Sequence, residues 1–200
     1  MIAIVDYGMG NLGSVEKALR NVGADGTITS DPADVRAAEA VVLPGVGAFD
    51  DCMAGLRGQG LIPAILEAIE SGKPFLGICL GLQVLFESGE EGVEPGIGLF
   101  KGACIRFRHQ LKIPQIGWNQ IKIVRRPPAL ADIPEGSWFY FVHSYHVAPE
   151  DESIVSTLTD YGYDFCSSVW KDNVYACQFH PEKSQKAGLA ILKNFVGLVG

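Results

Sequence analysis

Long apolar runs are missing from this 200-residue chain. None approaches the ~20 residues that a membrane-spanning helix needs. The apolar stretch Met1 to Asp6 is short, holds an acid and has no basic segment before it, so it does not read as a signal peptide. Positive charge is also scarce: 16 Lys and Arg stand against 23 Asp and Glu, a net charge of −7. That balance argues against nucleic-acid binding, which needs a basic stripe. Paired cysteines are absent too. The five cysteines are an odd number with no C-x-x-C pair, which argues against a disulfide framework or a zinc site and fits a reducing cytosol. Repeats, low-complexity stretches and linkers are not found. With 48% apolar and 20% charged residues, the chain can bury a core of its own.

The first part alternates strand-like and helix-like segments. Ile2 to Val5, Ala40 to Leu43 and Phe75 to Ile78 are short apolar runs, and Gly26 to Thr29 is a weaker strand candidate. Leu12, Val15, Leu19 and Val22 share one helical face, Leu61 to Ile69 has helical spacing, and Leu80 to Phe86 reads as a helix. This alternation predicts a parallel sheet flanked by helices. After about Glu90 the texture changes. Lys101 to Phe107, Ile121 to Val124, Ser137 to Val142, Ile154 to Leu158, Phe165 to Trp170 and Val174 to Phe179 read as strands, and Ala187 to Leu198 as a closing helix. The expectation is a single α/β domain over residues 1–200, its mostly parallel sheet extended by a smaller antiparallel or mixed β portion.

The strongest chemical signal is Gly77-Ile78-Cys79-Leu80-Gly81, where an apolar strand runs into G-x-C-x-G and a helix follows. This is the cysteine form of a nucleophile elbow, a turn tight enough to strain the backbone at the nucleophile. Glycines on either side leave room where a Cβ would clash. The Leu80 N–H points toward the same space and is a candidate oxyanion donor. Cys52, Cys104, Cys166 and Cys177 lack such a setting and read as ordinary buried thiols.

A thiol nucleophile needs a base. His180 ends the strand Val174 to Phe179, and Glu182 follows two residues on, with Pro181 fixing the turn. The carboxylate can hold one ring nitrogen and leave the other facing Cys79. His143 and His146 are competing bases without an acid at suitable spacing.

Together, G-x-C-x-G and His180-Pro181-Glu182 resemble the class I glutamine amidotransferases. Tyr7 to Leu12, the P-G-V-G loop from Leu43 to Phe49, Ile116-Gly117-Trp118-Asn119 and Tyr140 to Tyr145 narrow the resemblance to one branch. These segments are similar to the glutaminase subunits of imidazole glycerol phosphate synthases. Anthranilate synthase glutaminases typically carry P-G-P-G at that loop, and pyridoxal phosphate synthase glutaminases P-G-G. The resemblance implies a three-layer fold and glutamine hydrolysis through a Cys79 glutamyl thioester, with His180 as proton shuttle and no cofactor or metal. Val46, Gly47 and Leu80 would form the oxyanion hole. Gly47, Gln83, Ser144 and Tyr145 would hold glutamine. Ammonia would pass to a separate (β/α)8 cyclase subunit of a cytoplasmic heterodimer in histidine biosynthesis. Asn11, Trp118 and Lys183 would lie near that partner. His146 departs from the pattern, since an aromatic such as Tyr is expected there.

Other readings compete. Gly8-Met9-Gly10-Asn11-Leu12-Gly13 matches G-x-G-x-x-G after a strand, with Asp31 about twenty residues on, as in a nucleotide-binding protein. A peptidase would share the cysteine chemistry. Arg106, Arg108, His109 and Lys112 form a small basic cluster, most simply a solvated face.

Overall fold

Strands in the first half carry apolar side chains on both faces, and different helices cover the two faces. The computed structural model describes residues 1–199. The first elements are β1 (Ile2–Val5), α1 (Leu12–Asn21), β2 (Gly26–Thr29), α2 (Pro32–Ala37), β3 (Ala40–Gly45), α3 (Phe49–Gly58), α4 (Leu61–Glu70), β4 (Phe75–Cys79) and α5 (Leu80–Gln83). Ala3, Val5, Val41 and Leu43 pack on one side with Val35, Cys52, Met53, Leu56 and Ile65 of α2, α3 and α4. Ile2, Ile4, Val42, Leu76 and Ile78 pack on the other, against Val15 and Leu19 of α1 and against Ile191, Leu192 and Phe195 of the last helix. The result is helices, sheet, helices, as alternating side-chain directions demand of a sheet buried on both faces.

β5 (Phe86–Gly89), β6 (Phe100–Arg106), β7 (Gln115–Gln120), β8 (Lys122–Ile123), β9 (Trp138–His143), β10 (Tyr145–Pro149), β11 (Val155–Asp160), β12 (Asp164–Lys171), β13 (Val174–Cys177) and α6 (Gln185–Val196) follow. The main sheet runs β2-β1-β3-β4-β13-β12-β10-β6-β5, with β11 and β8 branching from β12. β1 to β4 and β13 are mutually parallel, and β12, β10, β11 and β8 continue antiparallel. The later β portion is thus continuous with the parallel sheet. Among the described residues, only β7 and β9 stand apart, as a two-stranded ribbon.

Several elements differ from the sequence reading. The helix expected over Leu80 to Phe86 stops at Gln83, and Phe86–Gly89 is a strand. Tertiary contacts end it: the N–H groups of Ile97, Phe100 and Gly98 take the carbonyls of Val84, Leu85 and Phe86. α2 and α3 were not anticipated. α2 starts at Asp31, which accepts from the Ala33 N–H, with Pro32 in the first turn. α3 buries Phe49, Cys52, Met53 and Leu56, and Gly55 and Gly58 interrupt its helical pattern in the sequence.

Candidate active site

Three neighbouring strands deliver their carboxyl ends to one place, where ligands bind in open α/β sheets. In register, Gly45 of β3 stands beside Cys79 of β4, and Ile78 beside Cys177 of β13. The Val46-Gly47 loop, Cys79 and the segment Gln178-Phe179-His180 therefore emerge side by side.

Cys79 has φ 55° and ψ −109°, a strained conformation for a residue with a side chain. The elbow has no room to relax. A Cβ at Gly81 would fall on the Leu43 carbonyl oxygen, and one at Gly77 would sit 2.8 Å from the Gly81 carbonyl oxygen. Leu80 begins α5, so its N–H has no acceptor within the helix. Because α5 is a single turn, its dipole is small.

The chief neighbour is His180, held at both ends. Its N–H donates to the Tyr140 carbonyl at 2.9 Å, and its carbonyl accepts from the Ser184 hydroxyl at 2.7 Å. Nδ1 lies 2.8 Å from Glu182 Oε1, with both side chains 2% exposed. Nε2 is buried and has no aligned hydrogen bond, and the Cys79 sulfur is near enough to act on its charge. Burial opposes the imidazolium, but the negative sulfur and the Glu182 carboxylate prevail and hold the His180 pKa up at about 10. His180 is thus held as an imidazolium beside the Cys79 sulfur. Burial pushes the Cys52 and Cys166 thiols up to about 12, and those of Cys104 and Cys177 well up.

The residues around this pair enclose a cleft of about 420 Å³, lined by Val46, Gly47, Cys79, Leu80, Gln83, Ser144, Tyr145, His180 and Lys183. Gly47 needs φ +98°, and a Cβ there would strike Met9, so the Gly8–Gly10 loop packs against the P-G-V-G loop. Asp31 caps α2 and is not left free for a ribose. Among the described residues no three His, Cys, Asp or Glu side chains converge as they would around a metal ion. His143 reaches the cleft wall, but its Nδ1–H donates to the Tyr145 carbonyl at 2.6 Å and its Nε2 meets the Gln115 side-chain amide at 2.8 Å, which must turn its NH2 to a neutral ring. Burial lowers its pKa to about 3, so it is a neutral strut. His146 packs among Phe107, Tyr163 and Phe165 and bonds the Tyr163 hydroxyl at 2.9 Å. Of the basic cluster, Arg108 pairs with Glu90 at the surface.

Asn11 and Trp118 lie outside the cleft. Asn11 borders a small void behind Glu182, shared with Pro44 and Val46. Trp118 is 43% exposed on β7, edge-on to Tyr140 of β9. Sequence reasoning missed Glu91, the one carboxylate among the described residues lining the cleft, which accepts from the Phe49 N–H at 2.8 Å. It lies in a polar loop with no periodic pattern, so nothing local marks it.

The family model described as glutamine amidotransferase class-I matches residues 3–198. The chain belongs to the class-I glutamine amidotransferases. Among these amidotransferases, it is 51% identical over 97% of each chain to the imidazole glycerol phosphate synthase subunit HisH of Geobacter sulfurreducens. It is 54% identical to the subunit of that name from Thermosynechococcus vestitus, covering 99% of this chain and 97% of the relative. The Aquifex aeolicus subunit is also 54% identical, covering 96% and 94%. Solved structures share the fold. PurLQS from Thermotoga maritima superposes with a TM-score of 0.78 at 19% identity over 100% of this chain and 98% of that one. The glutaminase domain of Trypanosoma brucei CTPS, solved with bound acivicin, gives 0.69 at 16% over 98% and 93%.

Proposed function

We propose that this chain is the glutaminase subunit of an imidazole glycerol phosphate synthase, hydrolysing glutamine at Cys79 and handing ammonia to a partner subunit. The observation that carries this is the strained Cys79 elbow set beside the buried His180–Glu182 pair on adjacent strand ends. The 51% and 54% identities supply the pathway.

The chemistry follows from the geometry. The Cys79 thiolate attacks the carboxamide carbon of glutamine. The Leu80 N–H and the Val46-Gly47 backbone on the other wall stabilise the oxyanion. As the C–N bond breaks, His180 gives its proton to the departing nitrogen and ammonia leaves. Water then adds to the glutamyl thioester with His180 as base, and glutamate departs as the thiolate is restored. Glu182 keeps the ring oriented and offsets its charge. Gln83, Ser144, Tyr145 and Gly47 hold the substrate, and Glu91 is suited to its α-ammonium. Thioester formation and hydrolysis call for no cofactor.

The partner is a cyclase subunit of (β/α)8 form. An exposed apolar face supports its docking beside the cleft: Ile116 at 59%, Trp118 at 43% and Trp138 at 53% exposure share one side of the β7–β9 ribbon. We assign Lys183, in the cleft lining, and Asn11, behind Glu182, to the same contact. The continuous sheet and the family match over residues 3–198 support one domain spanning residues 1–200, and the biosynthetic role named for its relatives supports a cytoplasmic setting. No helix among the described residues is long and apolar enough to cross a membrane.

The test is glutamate release by the purified chain, with and without the cyclase and its ligand. Stimulation by the cyclase is expected. Turnover that ignores the cyclase would remove the pathway assignment while leaving glutaminase chemistry standing.

A further inference from the structure

Cys79 has one more polar neighbour, and it does not touch the cleft. Gln178 precedes His180 by two residues in an extended segment, so the two side chains leave on the same side. Cys177 and Phe179, between and before them, turn instead into the core beneath α1 and α6. Gln178 is fully buried. Its Nε2 donates to Cys79 Sγ at 3.5 Å, and its Oε1 accepts from Gln83 Nε2 at 3.0 Å.

Which end of an amide faces a sulfur is ordinarily ambiguous, but here a chain of contacts decides it. The chain begins at the Tyr145 carbonyl, which can only accept. Gln83 Nε2 lies 3.1 Å from that oxygen, so the NH2 end of Gln83 points there. The same NH2 reaches Gln178, which must answer with its oxygen. The NH2 of Gln178 is then left for Cys79. At the far end, His143 clamps the same Tyr145 carbonyl and is itself held by Gln115. Every amide orientation is thus fixed from a backbone oxygen outward, and the sulfur receives a donor that cannot turn away.

We propose that Gln178 is a positioning residue that donates a fixed hydrogen bond to the Cys79 thiolate, oriented by Gln83, and acts on the nucleophile rather than on glutamine. This rests on Cys79 being the nucleophile. A hydrogen bond to a charged acceptor is stronger than one between neutral groups, so losing it disfavours the thiolate. Because Gln178 does not line the cleft, its removal should spare substrate binding.

Gln178→Met tests this without adding a charge beside the sulfur, since it keeps the volume and loses the donor to Cys79. Gln178→Leu serves if the first variant fails to fold. The rate of Cys79 alkylation by iodoacetamide is read against pH on the full chain, and glutamate release is read in the complex with the partner subunit. The expected result is an alkylation rate about tenfold lower near neutral pH, with the profile moved to higher pH. kcat should fall by a similar factor with KM unchanged. A buried amide with only a packing role would reduce the yield of folded protein without moving the pH profile, and an unmoved profile in a folded variant overturns the proposal. A raised KM with unchanged kcat overturns it as well. Cys79→Ser separates the two levels. Turnover persisting in that variant refutes the nucleophile itself, whereas lost turnover with an unmoved Gln178 profile refutes only the role of Gln178.

Discussion

His180 Nδ1 and Glu182 Oε1 lie 2.8 Å apart, both side chains sealed from solvent at 2% exposure, only two residues apart in the chain. So short a separation works because Pro181 opens a single 3-10 turn that folds the carboxylate back onto the ring. The pair is therefore a local unit, and its other nitrogen is free for the neighbouring strand. Replacing Glu182 by Gln keeps the shape and removes the charge. We expect kcat for glutamate release to drop by about 10²–10⁴ with little change in KM. A drop under about threefold would show that Glu182 does not serve the base.

The proton on His180 depends on the sulfur beside it. The Cys79 sulfur and Glu182 oppose the effect of burial and hold the His180 pKa up at about 10. Cys79→Ser removes the larger of the two favourable charges, so the His180 titration, followed by NMR on labelled histidine, should move to lower pH. An unchanged titration in Cys79→Ser would break the ion-pair account.

His143 gives the opposite sign. Its folded pKa of about 3 lies below the ordinary value of 6.5. The unfolded chain therefore binds a proton that the folded chain refuses, and stability falls as pH drops from 6.5 toward 3. The slope from this group approaches about 1.4 kcal/mol per pH unit. Urea midpoints measured at a series of pH values should show it, and His143→Phe should flatten that window even though it lowers stability overall. An equal slope in both proteins would mean that His143 is protonated in the folded state.

Glycine substitutions separate the elbow from the surface. Gly81→Ala forces a methyl onto the Leu43 carbonyl, a backbone atom that cannot swing aside. A loss of at least about 3 kcal/mol is expected. Gly58→Ala, in open space at the end of α3, should be neutral or stabilising by up to about 1 kcal/mol. Thermal melts of both variants give the comparison, and a tolerated Gly81→Ala would contradict the elbow packing.

Much of this site was legible because the chemistry is written in short, rigid segments. Gly77 and Gly81 flank Cys79 where only glycine fits, and His180-Pro181-Glu182 encodes its own turn. What stayed hidden was set by distant contacts. β7 is half polar, with Gly117 and Asn119 inside it, and exists because β9 pairs with it. β5 and the early end of α5 depend on the loop at Ile97 to Phe100. Gln178 and Glu91 look like ordinary polar residues, and only the fold brings one to the sulfur and the other to the cleft.

The most direct test of the central claim is acid-quenched mass spectrometry of the protein turning over glutamine with its partner. The account predicts a glutamyl adduct on the peptide carrying Cys79, lost together with turnover in Cys79→Ser and retained in Cys177→Ser. Turnover surviving in Cys79→Ser, or an adduct on any other cysteine, would contradict it.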